Sequence, residues 1–438
     1  MHERHRDRRQ CSLKGRVLII STLCVACGIW SGLVCPSGGA FPAPSLPIYN
    51  NASDPTNAGA SYVTSASCAA CHPSFFELHN RHGHAQAFQS TNGSAPVYPA
   101  DVEGPGVPDP PPGFDWSQIA YVLGGYTKGA YFINLDGFLM TTGGTGTSTR
   151  WNLANAANGT APGFTPYEPA LVNLSLPHEV NRRFTTGAQA PQPMGPLSQD
   201  SRPGIGGTWV EAGVQCEACH GPGSNHVPRP AARDLFVDSS GAQSCRNCHS
   251  GSPGLEEGAI PARDGFISAR SEWVELKASG GHASFACTFC HDPHRSTTYD
   301  RTNAIRNQCR ACHTTENMAL HDGKVFTHPN GYTEVLSCES CHMPFAGRVV
   351  SAAAPEVVGP LARMGDSRTH IFRITTDPID YTGFFTPDGS QVVRDAQGKA
   401  ALTADFVCLR CHNDVALPNL SFSVDRASEI AIGVHREF

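Results

Sequence analysis

The sequence predicts a mainly α-helical chain with extensive loop, short local helices and one small β-hairpin insertion. Three observations point there. Gly (44 residues) and Pro (34) are both frequent in a chain of 438, which favours turns over long regular elements. Only 16% of the residues are charged, against an ordinary share of about 25%. The third observation is decisive: the pattern C-x-x-C-H occurs seven times.

The copies are Cys68, Cys71, His72; Cys216, Cys219, His220; Cys245, Cys248, His249; Cys287, Cys290, His291; Cys309, Cys312, His313; Cys338, Cys341, His342; and Cys408, Cys411, His412. Chance at this composition would give about 0.03 copies of this haem-attachment spacing. Two thiols three apart can both add to the vinyl groups of one haem, and the next histidine then reaches the iron. A redox dithiol, half a zinc site or a disulfide scaffold also uses paired cysteines. None of these explains why histidine follows the second cysteine every time, and seven pairs do not combine by fours. The expected cofactor is therefore seven covalently attached haem c, with the fourteen cysteines as attachment points.

Lys and Arg number 32 against 38 Asp and Glu, for a net charge of −6. A faintly acidic chain without long basic runs is a poor nucleic-acid binder. Residues 1–16 are nonetheless basic, an apolar run from Val17 to Cys35 follows, and Gly38, Gly39 and Ala40 precede a Pro-rich stretch. That is the order of an export signal cleaved after Ala40, and it agrees with haem attachment outside the cytoplasm. The remaining cysteines (Cys11, Cys24, Cys27 and Cys35) all lie in this leader, so cleavage would leave no free thiol. Two alternatives stay open: retention of the leader as a membrane anchor, and acylation at Cys27.

After the leader, residues 41–215 form a one-haem region and 216–438 a six-haem cluster. With so little chain per haem, the porphyrins are expected to form much of the core. Within the first region, Tyr131 to Leu135, Asp136-Gly137 and Phe138 to Thr142 read as a hairpin with a tight turn. Tyr121 to Leu123 reads as an added edge strand, and residues 143–163, rich in Gly, Thr and Asn, as irregular chain. In the second region, first cysteines only 22 to 70 residues apart leave no room for independent domains.

Each iron also needs a decision about its second face, since a sixth strong ligand gives an electron carrier and an open face admits substrate. Eleven further histidines lie outside the leader: His79, His82, His84, His178, His226, His282, His294, His321, His328, His370 and His435. His294 and His226 follow a motif histidine too closely to reach the far side of the same haem, so each must serve a neighbour. With His370, these are the strongest candidates. His282 and His328 precede motifs and can reach back, and one of His79, His82 and His84, taken here as His84, serves near the first motif. His178, His321 and His435 are weaker, as lone histidines usually are.

The strings Gly213 to His226 (GVQCEACHGPGSNH), Cys290-His291-Asp292-Pro293-His294, Cys341-His342-Met343-Pro344 and Gly365 to His370 (GDSRTH) resemble those of multihaem c-type cytochromes, notably the cytochrome c-554-like group. The resemblance covers 216–412 well and the stretch from His72 to Ala87 moderately. It implies a multihaem cytochrome c fold with distal iron ligands at His226, His294 and His370. Related enzymes depart from this chain: pentahaem nitrite reductases carry a C-x-x-C-K motif absent here, and octahaem hydroxylamine-oxidising enzymes carry one more haem. The expectation is an exported electron carrier whose partners are other cytochromes or a quinol-oxidising membrane complex, with self-assembly through donated histidines left open. The alternative is an oxidoreductase acting on a small nitrogen or sulfur oxyanion at one five-coordinate haem.

Overall fold

A long buried strand in the stretch between the first two motifs organises the N-terminal half of this computed structural model. The structure describes residues 51 and 53–435, except 103–105, 142–147, 167–175, 180–183, 190–197, 233, 239–243, 252–256, 317 and 319. The expected leader lies outside the described residues. The described residues fall within one compact unit.

The strand is β2 (Ile119–Gly124), paired antiparallel with β1 (Phe88–Ser90) and β3 (Gly129–Asn134). From β3 the sheet continues to β4 (Phe138–Leu139) and to β5 (Ser148–Asn152), which pairs with β6 (Gly163–Pro166). β7 (Leu176–Glu179) joins β4 to β9 (Ile205–Gly206), completing eight strands. A separate ribbon pairs β8 (Thr185–Thr186) with β10 (Glu211–Ala212).

Successive side chains of a strand point to opposite faces, and here both faces are covered. Ala130 and Phe132 of β3 pack with Val122 and Trp151, while Tyr131 and Ile133 pack on the other side with Leu123 and Trp209. The hairpin expected at Asp136-Gly137 is present, with Ile133 opposite Leu139. Gly137 takes a φ of 88°, and a Cβ there would strike Ile205 and Arg202, so its backbone needs glycine. Two expectations need correction. β2 is an inner strand rather than an edge, because β1 covers its other side. The Gly/Thr/Asn-rich stretch contains β5 and runs into the start of β6; Thr149 and Trp151 of β5 alternate inward and are buried.

Helices are short throughout. They are α1 (Ser65–Ala69), α2 (Pro73–Asn80), α3 (Cys216–His220), α4 (Arg246–His249), α5 (Glu272–Ala278), α6 (Cys287–Cys290), α7 (Arg301–Ala304), α8 (Cys338–His342), α9 (Pro355–Val358), α10 (Tyr381–Phe384), α11 (Ala404–Val407) and α12 (Val424–Ala431). None exceeds eight residues, below the length at which an isolated helix is stable in water, so packing and ligation must hold them. The architecture is therefore mixed, with a substantial sheet in place of a lone hairpin. No described helix is long and apolar enough to cross a membrane.

The polypeptide also builds more core of its own than expected. Besides the sheet clusters, Ile260, Phe266, Ile267, Phe384, Leu402 and Phe406 form one C-terminal cluster, and Val358, Met364, Leu409 and Ala427 another. Residues on either side of the expected boundary at 215/216 are tied together. Buried Glu217 accepts backbone N–H groups from Val63, Thr64 and Gly223 at 2.8–3.1 Å.

Candidate functional site

In every C-x-x-C-H copy the histidine sits one helical turn beyond the first cysteine. His72, His249, His291, His313 and His412 donate their backbone N–H to the carbonyl of Cys68, Cys245, Cys287, Cys309 and Cys408 at 2.8–3.0 Å. The other two copies are α3 and α8 themselves. An i, i+4 spacing puts both residues on one helix face, so thiols and imidazole converge on the same side of each turn.

Each of the seven imidazoles faces a second one. Numbering the sites by motif order, the pairs are His72 with His226 (ring centroids 6.5 Å apart), His220 with His294 (6.2 Å), His249 with His84 (6.1 Å) and His291 with His370 (6.0 Å). His313 pairs with His282 (5.7 Å), His342 with His435 (5.8 Å) and His412 with His321 (6.1 Å). Two metal–nitrogen bonds of about 2 Å plus two ring radii of about 1.1 Å put the centroids of two axial imidazoles about 6 Å apart. All seven separations meet that requirement. The donor set of two thiols and two imidazoles at each place fits covalently attached haem.

Burial leaves these imidazoles ready to bind metal. It pushes His84, His220, His282, His291, His321, His342, His370 and His412 below the ordinary histidine value, His291 down to about 4. A neutral ring keeps the lone pair that ligation needs. His249 goes the other way: burial acts to lower it, but Glu272 beside it raises it overall.

The second ring nitrogen fixes each imidazole's orientation. His220 Nδ1 lies 3.3 Å from the carbonyl of Phe236, His342 Nδ1 2.8 Å from that of Phe372, and His412 Nδ1 3.1 Å from that of Leu420. His249 is different, with Nδ1 2.8 Å from the Glu272 carboxylate.

Neighbouring motifs lie near one another in chain order. The sulfurs of Cys68 and Cys216, of Cys245 and Cys287, and of Cys309 and Cys338 lie close together. Cys219 interacts electrostatically with Cys248, Cys290 with Cys312, and Cys408 with Cys341. Each site is thus linked to the next, from the first to the seventh.

Of the expected second ligands, His84, His226, His282, His294 and His370 each face a motif histidine. His328 does not. It is buried with Nε2 3.2 Å from Glu334 Oε1, and Arg410 Nη1 lies 2.6 Å from the same oxygen. The pull of this buried carboxylate, not of an iron, places it. His321 and His435 take the remaining faces instead. His79 Nε2 points to the Val214 carbonyl and His82 Nδ1 accepts from the His84 N–H, while the side chain of His178 lies outside the described residues. Met140 and Met364 fill apolar clusters.

Over 207 residues the chain is 24% identical to the dissimilatory sulfite reductase MccA of Wolinella succinogenes, a match spanning 39% of this chain and only 27% of that protein. A solved structure of the octahaem sulfite reductase MccA from the same bacterium superposes with a TM-score of 0.52 at 16% identity, covering 85% of this chain and 71% of that one. This is a multihaem cytochrome fold. The outer cell wall cytochrome OcwA is also similar, at a TM-score of 0.46 and 17% identity over 84% of this chain and 86% of that one. No protein-family model matches the sequence.

Proposed function

We propose that this chain is an exported seven-haem c-type cytochrome that passes single electrons along closely packed bis-histidine haems in a respiratory or extracellular electron-transfer chain. The observation that carries the reading is the pairing of all seven motif histidines with a second histidine at ligating separation. Haem c supplies reversible one-electron chemistry when bound. The fourteen motif cysteines would anchor the groups. The fourteen paired histidines would hold the irons from both sides and so keep substrates away. The carbonyls of Phe236, Phe372 and Leu420 hold three of the motif imidazoles in their tautomer and orientation. Linkage of each motif to the next supplies a continuous route. Other cytochromes or a quinol-oxidising membrane complex are the proposed partners, and His435, seated on His342 of its own chain, favours a self-sufficient unit over subunits that lend each other histidines.

A second reading, reduction or oxidation of a small nitrogen or sulfur oxyanion at one five-coordinate haem, draws on the similarity to a sulfite reductase. Low-temperature EPR of the oxidised protein separates the two. The carrier reading expects low-spin signals that account for seven haems, and a His435→Ala variant expects one of the seven to become high-spin. A high-spin signal worth one haem in the unaltered protein would move the oxyanion reading ahead.

A further inference from the structure

The seven pairs share one plan, but the groups behind the imidazoles are not equivalent. Three motif histidines back onto peptide carbonyls, and the buried Nδ1 of His291 has no hydrogen-bond partner. At the third site the partner is a full carboxylate, Glu272 Oε2, at 2.8 Å. Glu272 opens α5 at its first residue. The position is set from behind: Ser271 and Glu275 are both buried, and Ser271 Oγ donates to Glu275 Oε1 at 2.7 Å.

A carboxylate that accepts the Nδ1 proton gives the imidazole partial imidazolate character and makes it a stronger donor to metal. A stronger axial donor favours the oxidised iron, which lowers the reduction potential. Two ligands elsewhere have carboxylates nearby, but farther away and shared with arginine. His226 Nδ1 is 3.4 Å from Asp234, which also pairs with Arg229, and His294 Nδ1 is 3.4 Å from Asp292, which faces Arg295 and Arg306.

We propose that Glu272 is a positioning residue whose hydrogen bond to His249 makes the third site the lowest-potential haem of the seven. The inference rests on the reading of seven bis-histidine haems. Because the motifs lie near one another in chain order, a low third site would divide the row into a pair of haems before it and four after it. Electrons would fill these two groups first and cross between them through the least favourable site.

The test is a potentiometric titration of the intact holoprotein followed by EPR. The His249 and His84 rings cross at 66° and the His412 and His321 rings at 84°, whereas the other five pairs lie at 46° or less. Crossed axial imidazoles give low-spin signals of high anisotropy, which marks the third and seventh sites. In the unaltered protein such a signal should be the last to vanish on reduction. In Glu272→Gln the amide oxygen can still accept the proton but the charge is gone. That step should then become easier by about tenfold, or about 59 mV for one electron, with all seven haems still low-spin. Glu272→Asp, which keeps the charge, should shift it less. A final step belonging to one of the other five sites in the unaltered protein would overturn the proposal, even if the glutamine variant did not fold. So would an unmoved lowest step in that variant. A high-spin signal in the unaltered protein would instead count against the carrier reading, so the two failures look different.

Discussion

The sheet region and the motif-rich region solve the same problem by different means. Between residues 88 and 206 the chain pairs eight strands and buries both faces of the sheet with its own side chains. From Cys216 to His435, regular elements are mostly four to eight residues long, and the long-range ties include histidine pairs such as His342 with His435. One region carries its own core. The other combines polypeptide clusters around Phe406 and Met364 with histidine pairs that the proposed haems would bridge.

Withholding haem is the broadest way to break this comparison. A chain made without haem attachment should keep slow amide exchange at Val122 and Phe132. It should lose protection around α3, α4, α6 and α8, as read by hydrogen exchange with mass spectrometry. Equal loss in both regions would mean that the sheet, too, depends on the cofactor. Phe132→Ala probes the opposite side. Phe132 is fully buried between strands, and its truncation should cost about 3–5 kcal/mol in denaturant unfolding, while the haem absorption spectrum stays unchanged.

A smaller effect should follow from acid. Burial acts to raise Glu334, but His328 and Arg410 hold it down at about 2. Its contribution is therefore complete above the unfolded glutamate value of about 4.3 and fades as pH falls toward about 2. The unaltered protein should lose more thermal stability between pH 6 and pH 3 than a Glu334→Gln variant. Equal losses would show that the His328–Glu334–Arg410 group contributes no acid sensitivity.

How much of this was legible in the sequence differs between the two regions for physical reasons. The motif turns are local: a covalent spacing of three residues and one i, i+4 hydrogen bond define each, so all seven can be read from residues alone. His226, His294 and His370 stand in recognisable strings and could be ranked. His321 and His435 sit in no local pattern, and only the folded chain brings them to His412 and His342. His328 misled because proximity to a motif in sequence says nothing about which face it turns to, and Glu334 with Arg410 claimed it. In the sheet, Asp136-Gly137 announced the hairpin. Ser148 to Asn152 gave little sign because its inward residues, Thr149 and Trp151, find burial only against neighbouring strands.

The crossed ligation also sets an order on biosynthesis. In the proposed haem assignment the first site would draw its second histidine from residue 226, and the sixth from residue 435. The motif histidine His342 and its partner His435 stand 93 residues apart, so the sixth site would be complete only once the exported chain has folded across that span. Until then a haem held there would lack its second histidine and would be open to other ligands. Loss of the residues around 435 would therefore leave the sixth site without its second histidine.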